Sequence, residues 1–322
     1  MTEPGLYLTS FISGVVGAWV ITKFGRRLGF LDHPNGRSSH FIPTPKGGGI
    51  GIFAAFLLSC LYAGISIYFW FPLTFLSILA FWNDRSELSP KWRLSVQFLL
   101  IILLLTGAGY STTDWGWHWP WVLFGAVFIV GTTNIYNFMD GINGIAAVTG
   151  ILGFGLLAFY FHSYQENPSF FILSTCISIS CLGFLPMNMP RAWVFMGDTG
   201  SILLGGVFGS LVYLSSTTPL NFLCMSSFLF PFYADELLTM FVRLRDRESL
   251  IRAHRRHIYQ LLANEKGLPH WKVSVGYGIL QAVVGIGVLG IRGYGTSAVV
   301  AFLAVWFFGF WVFGGWVRRP IE

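Results

Sequence analysis

Four aspartates, Asp84, Asp140, Asp198 and Asp235, border long apolar runs in this chain. An acid at the end of such a run is a functional candidate by default, because its desolvation must be compensated. Asp140 lies in "NFMDGING", with Asn137 and Asn143 three residues either side. Asp198 lies in "FMGDTGS", Asp84 follows Asn83 in "NDRSELSPKWR", and Asp235 lies in "PFYADELL". Carboxylates gathered in one pocket repel one another unless a cation or proton intervenes. Their oxygens, with Asn amides nearby, suit Mg²⁺, which prefers octahedral oxygen and often bridges to phosphate; Mn²⁺ is the natural substitute. The segment "RAHRRHIYQ" supplies His254, Arg255, Arg256 and His257, groups matched to phosphate oxygens. Acids for a metal and bases for phosphates are the equipment of phosphoryl transfer, in which positioning and charge stabilisation do most of the catalysis.

These groups need elements to position them. Of 322 residues 54% are hydrophobic and only 11% charged, against about 25% charged in ordinary soluble proteins. Thirteen Trp and 32 Phe fit lipid-facing and interfacial surface better than one soluble core. Composition therefore indicates an all-α polytopic membrane protein, residues 1–322 forming one integral-membrane domain. Apolar runs mark spans at 5–24, 49–67, 69–82, 94–110, 119–138, 144–162, 169–186, 201–215, 219–241, 273–291 and 294–317, eleven in all by run length. A single helix over 49–82 would be about 51 Å long against a hydrocarbon core of about 30 Å. Two cramped spans hinged near Pro72 fit better.

Charge orders the loops. With these spans, every one of the 20 Lys and Arg residues except Arg292 falls on one side. The positive-inside rule then places the N-terminus in the periplasm, the C-terminus in the cytoplasm, and loops 25–48, 83–93, 138–143, 187–200 and 242–272 on a cytoplasmic active face. That placement explains the net charge of +6 without a nucleic-acid partner. The first span is expected to be retained, since nothing basic precedes it. Cys60, Cys176, Cys181 and Cys224 lie inside apolar runs without metal spacing and read as packing residues.

Blander roles compete for the same residues. Asp140 and Asp198 each precede a span and could serve as helix N-caps. Asp84 with Arg85 could be an interfacial pair, and the basic segment a topology signal or a patch for anionic lipid heads. What argues against all of these at once is that the segments fall on one face.

The motifs resemble those of the polyprenyl-phosphate N-acetylhexosamine-1-phosphate transferases, the bacterial glycosyltransferase family 4 that includes WecA-like, WbpL-like and MraY-like enzymes. "NFMDGINGIA" and "FMGDTGSILLGG" carry the resemblance, "HPNGRSSHFIPTPKGGGIGI" and the basic His-containing loop strengthen it, and "AHRRHIYQ" looks closer to WbpL-like initiators of surface polysaccharide than to MraY-like enzymes. The resemblance implies a Mg²⁺-dependent enzyme of the bacterial inner membrane. It would transfer an N-acetylhexosamine-1-phosphate from a UDP-N-acetylhexosamine to polyprenyl (undecaprenyl) phosphate. UMP would leave, and a lipid-linked surface polysaccharide such as O-antigen would be initiated. By position, Asp198 matches the family's metal-binding acid, and Asp140 with Asn137 its "NxxD" motif, lining the nucleotide and metal pocket. His254, Arg256 and His257 match the loop that closes over the nucleotide sugar. Arg37, Ser38, His40 and Lys46 match the first cytoplasmic loop and are assigned to the lipid phosphate. Asp235 matches an acid near the ninth span and carries no assigned role.

One departure is chemical. The family usually has two adjacent aspartates where this chain has Asn83–Asp84, and an amide is no general base. A phosphate monoester is mostly dianionic at pH 7, with a second pKa near 6, so Asp84 is expected to suffice while Asn83 orients the acceptor. The rival class is a polytopic lipid or sugar transporter or flippase, whose acids would sit near mid-membrane on broken helices. Apolar surface is ample enough for a homodimer, but lipid-facing and partner-facing surfaces look alike in one sequence.

Overall fold

The computed structural model describes residues 2–34, 39–83, 89–107, 119–249 and 254–319. Asp84, Arg37 and Ser38 lie outside the described residues. Helix α1 spans Glu3–Leu28 and stops at Gly29, whose left-handed backbone (φ 80°) returns its N–H to the Gly25 carbonyl. A two-stranded antiparallel ribbon follows, β1 (Leu31–Asp32) with β2 (Thr44–Pro45). The helices that follow are α2 (Ile50–Tyr62), α3 (Ile67–Asn83), α4 (Pro90–Gly107), α5 (Trp119–Phe138), α6 (Ile145–Tyr160), α7 (Pro168–Asn188) and α8 (Gly197–Ser215). Then come α9 (Pro219–Ser226), α10 (Phe230–Arg245), the short α11 (Ile258–Gln260), α12 (His270–Ile291) and α13 (Thr296–Arg318).

Among the described residues, eight helices are long and apolar enough to cross a membrane: α1, α4 to α8, α12 and α13, with α6 and α12 each extended by a short final turn. The chain is thus an all-α polytopic membrane protein. The other three apolar runs are also helical, but shorter or broken. Helices α2 and α3 are separate, as their combined length requires, but the hinge is not at Pro72. Pro72 lies inside α3. The chain turns at 63–66, where Gly64 is left-handed (φ 64°) and the Ser66 hydroxyl accepts the Tyr68 N–H at 3.3 Å. The run 219–241 breaks at a 3₁₀ turn, Ser227–Leu229, just before Pro231. Proline has no N–H, and its ring clashes with the carbonyl four residues back. The break is compensated from outside: buried Gln281 of α12 donates to the Phe228 carbonyl at 2.7 Å and to Thr149 O at 3.1 Å. Irregular backbone at membrane depth needs such partners.

Of these eight helices α8 is the most buried and α13 the least. Helix α8 packs against α5 and α3, while α7 packs against α1, α2 and α6. Small residues permit the close approaches: a Cβ on Gly14 would stand 2.1 Å from Ser180 O, and one on Gly183 would stand 2.3 Å from Phe11 O. Without a hydrophobic drive between helices in lipid, such backbone contact is a main source of association. The two ends of the bundle separate as the charge count requires. Arg292, the lone basic residue of its end, stacks on Tyr164 at 4.4 Å and bonds Asn221 at 3.3 Å. Asp140 and Asp198 lie together at the other end.

Candidate active site

The centre of that end is the start of α8. Gly197 is left-handed (φ 76°) and begins the helix, placing Asp198 in its first turn. Asp198 is not the cap: the cap position is Met196, with no side-chain bond. Its carboxylate instead gathers three donors from three other helices. Asn83, at the end of α3, donates to Oδ2 at 3.1 Å. Asn137, at the end of α5, donates to Oδ1 at 2.9 Å and also to Ser201 Oγ at 2.9 Å. Arg93, in the first turn of α4, pairs with Oδ2 at 3.3 Å. Asn83 thus holds Asp198 through its amide N–H.

Asp140 is also no helix cap. Helix α6 is capped by Gly144 (φ 85°), whose N–H is taken by Asn188 Oδ1 at 2.7 Å. Asn143 ties this turn to its neighbours. Its side chain donates to Pro190 O at 3.3 Å, its N–H meets His270 Nδ1 at 3.4 Å, and its carbonyl accepts from Ser274 at 2.8 Å. The β-ribbon brings in the loop after α1: Phe195 N–H bonds Pro45 O at 2.8 Å, Gly48 N–H bonds Phe195 O at 2.9 Å, and Lys46 N–H bonds Phe30 O at 3.1 Å. His40 packs edge-on against Phe195, with ring centres 4.8 Å apart.

These pieces enclose a cavity of about 370 Å³, whose walls include Asn137, Asp140, Asn143, Asp198, His40, Lys46 and His254. Seven residues proposed from sequence thus meet in one place. Gln260 and His270 also line it, and neither was proposed. Arg93 was missed too. Its signal was its place in "NDRSELSPKWR", but no spacing rule says that a first-turn arginine of α4 reaches the first turn of α8.

The basic loop divides. His254 faces the cavity, and burial holds its pKa down at about 4 with help from nearby cationic groups. Near neutral pH its imidazole is therefore uncharged and able to donate or accept a hydrogen bond. His257 is only 2% exposed and is absent from the cavity wall. It lies 3.5 Å from Glu236 and 3.9 Å from Asp235, and burial, reinforced by the positive charges of Arg243 and Arg318, depresses its pKa to about 3. Arg256 turns away to Asp246 and Glu248, at 2.7 Å each. Arg255 also lies outside the wall. In this arrangement none of His257, Arg255 and Arg256 lines the cavity: His257 lies against Glu236 and Asp235, and Arg256 is paired with Asp246 and Glu248.

Asp235 gains a role. It is fully buried and binds the start of α11. Oδ1 accepts the Ile258 N–H at 2.7 Å, and Oδ2 accepts the Tyr259 N–H at 3.1 Å and the Tyr277 hydroxyl at 2.6 Å. It is a positioning residue for the loop and does not line the cavity.

The donor set fits a hard cation. Asp140 and Asp198 are carboxylates in the wall, and Asn137 and Asn143 spend their NH₂ groups on protein partners, which leaves their carbonyl oxygens for other contacts. Oxygen ligands suit Mg²⁺, which usually binds through one or two carboxylates plus substrate phosphates and water. Among the described residues no group of three acidic, His or Cys side chains could hold an ion, in keeping with that shared mode.

Fold and site together define a class: a helical membrane protein with an acid-lined polar cavity at one end of its bundle, the build of a membrane-embedded transferase. The family model of glycosyl transferase family 4 matches residues 66–216. The chain is 30% identical over 248 residues to a phospho-N-acetylmuramoyl-pentapeptide-transferase of Prochlorococcus marinus, covering 66% of this chain and 69% of that one. It is 29% identical over 328 residues to the enzyme of the same name from Halalkalibacterium halodurans, covering 89% and 98%. It is 28% identical over 273 residues to the undecaprenyl-phosphate alpha-N-acetylglucosaminyl 1-phosphate transferase of Thermotoga maritima, covering 83% and 84%. The chain belongs to glycosyl transferase family 4.

Proposed function

We propose that this protein transfers an N-acetylhexosamine-1-phosphate from a UDP-sugar to polyprenyl phosphate, releasing UMP. In the step, an oxygen of the lipid phosphate bonds to the sugar-bearing phosphorus, and the bond from that phosphorus to the bridging oxygen of UMP breaks. One phosphoanhydride replaces another. The observation that carries this reading is the gathering of Asp140, Asp198, Asn137 and Asn143 with His40, Lys46 and His254 around one cavity, in a chain of this family.

Asp198 and Asp140 would hold Mg²⁺, which when bound neutralises charge on the diphosphate. Lys46 supplies positive charge, and His254 and His40 supply hydrogen-bonding groups in the same wall. Asn83, Asn137 and Arg93 keep the Asp198 carboxylate fixed, so that little reorganisation is needed on binding. The finer reading has eleven spans, a periplasmic N-terminus and a cavity facing the cytoplasm of a bacterial inner membrane. It rests on the concentration of Lys and Arg at the cavity end and on the positive-inside rule. Initiation of a surface polysaccharide such as O-antigen rests on the likeness of "AHRRHIYQ" to WbpL-like initiators.

The test is UMP release by purified protein from a panel of UDP-N-acetylhexosamines, with polyprenyl phosphate and Mg²⁺ each omitted in turn. Release that needs all three supports the reading. Transport of lipid or sugar without UMP would establish the flippase class instead.

A further inference from the structure

Gln260 is an amide at the cavity wall and is 9% exposed. No donor among the described residues meets its Oε1. Leaving a buried acceptor unsatisfied costs about 1–3 kcal/mol, so such a group calls for a partner. The orientation of the amide follows from its neighbours. The Tyr259 hydroxyl donates its single proton to the Phe138 carbonyl at 2.9 Å. The Gln260 side chain also meets that hydroxyl. With its proton spent, the hydroxyl only accepts from Gln260, so the amide turns its NH₂ toward Tyr259 and leaves Oε1 as its unpartnered end. The backbone is equally fixed, because Asp235 holds the two preceding N–H groups. Gly141 makes room for the arrangement, since a Cβ there would stand 2.2 Å from the Tyr259 hydroxyl oxygen.

We propose that Gln260 is a binding residue for the nucleotide sugar, its Oε1 accepting a hydrogen bond from an N–H or O–H of the donor substrate. This rests on the reading that the cavity takes a UDP-sugar. An acceptor aimed by a fixed turn selects for a ligand donor at one point and against ligands that lack it.

The experiment uses the full-length protein in detergent, with UDP and UDP-N-acetylglucosamine titrated calorimetrically and turnover measured in parallel. Gln260→Met keeps the side-chain length and removes the acceptor. It is expected to weaken UDP-N-acetylglucosamine binding and raise its KM by about tenfold, the scale of one hydrogen bond. The KM for polyprenyl phosphate and the unfolding temperature should stay unchanged, which a merely structural role would not allow. If UDP loses as much affinity as the sugar nucleotide, the contact is to the uridine diphosphate; if UDP is unaffected, it is to the sugar. Tyr259→Phe leaves Gln260 in place but frees its amide to rotate, and a smaller loss of the same kind is expected; it decides the matter should Gln260→Met be unstable. Wild-type affinities in both variants would overturn the proposal. A native protein that binds neither nucleotide would instead overturn the function from which it starts.

Discussion

At the scale of residues, the site is organised around one carboxylate with three donors. Asp198 accepts from Asn83, Asn137 and Arg93, so its charge is balanced before any substrate arrives. Replacing Asn83 by aspartate would set two carboxylates about 3 Å apart, a geometry that demands a shared proton or a cation. Asn83→Asp is therefore expected to unfold at a lower temperature than the native protein in EDTA and to recover more on adding Mg²⁺. Equal Mg²⁺ responses in a thermal scan would show that the carboxylates do not share an ion. Asp198→Asn and Asp140→Asn are expected to lower the UMP release rate by about a hundredfold or more, the usual cost of removing a group that stabilises transition-state charge. Insertion and purification should be normal. A near-native rate in either variant would remove that residue from the proposed chemistry.

At the scale of elements, the loop from 254 to 265 is held by buried groups. Asp235 takes the first two N–H groups of α11 and the Tyr277 hydroxyl. An asparagine there would turn one acceptor into a donor against an N–H, at a cost of about 1–3 kcal/mol. Asp235→Asn should raise deuterium uptake at 258–265 and raise the KM for UDP-sugar more than that for polyprenyl phosphate; unchanged uptake would mean that the carboxylate does not hold the turn. His254 and His257 add a pH dependence. Their pKa values in the fold, about 4 and about 3, lie below the ordinary histidine value of about 6.5. The unfolded loop thus binds more protons on the acid side, and stability falls as pH drops from about 6.5 toward the folded values. Exchange protection of 254–265, corrected for intrinsic rates, should be lower at pH 5 than at pH 7.5. Protection that is flat with pH would mean that these imidazoles are not held neutral by burial.

At the scale of the whole molecule, association of the helices rests on close backbone contact. The α1–α7 seam closes at Gly14 and Gly183, neither of which lines the cavity. Gly14→Leu should lower the unfolding temperature by several degrees, because a side chain cannot fit against the Ser180 carbonyl. An unchanged melting curve would mean that the two helices are free to part without cost. The bundle also has two ends, one with Arg292 and one with the cavity. Single cysteines at Gly295 and at Arg191, in a background without the four native thiols, should label with an impermeant maleimide from opposite sides of intact cells, Gly295 from outside. Labelling of both from the same side would contradict the orientation proposed from loop charge.

What the sequence determined by itself was everything set by local composition and periodicity. Apolar run length fixed where helices lie, the count of basic residues separated the two ends, and the placement of acids at run ends marked "NFMDGING" and "FMGDTGS" as chemical. These properties are legible because hydrocarbon imposes them residue by residue, without reference to neighbours. Hydropathy located the ninth run but not its internal break, since Pro231 shows where the helix is interrupted and not that Gln281 takes up the Phe228 carbonyl. Only the tertiary structure decided which side chains share the cavity. His254 and His257 look equivalent in "AHRRHIYQ", yet one faces the cavity and the other is buried against Asp235 and Glu236. Gln260 and Arg93 gained their places in the same way, because which side chains meet depends on how helices from distant parts of the chain pack, and no spacing within one segment encodes that.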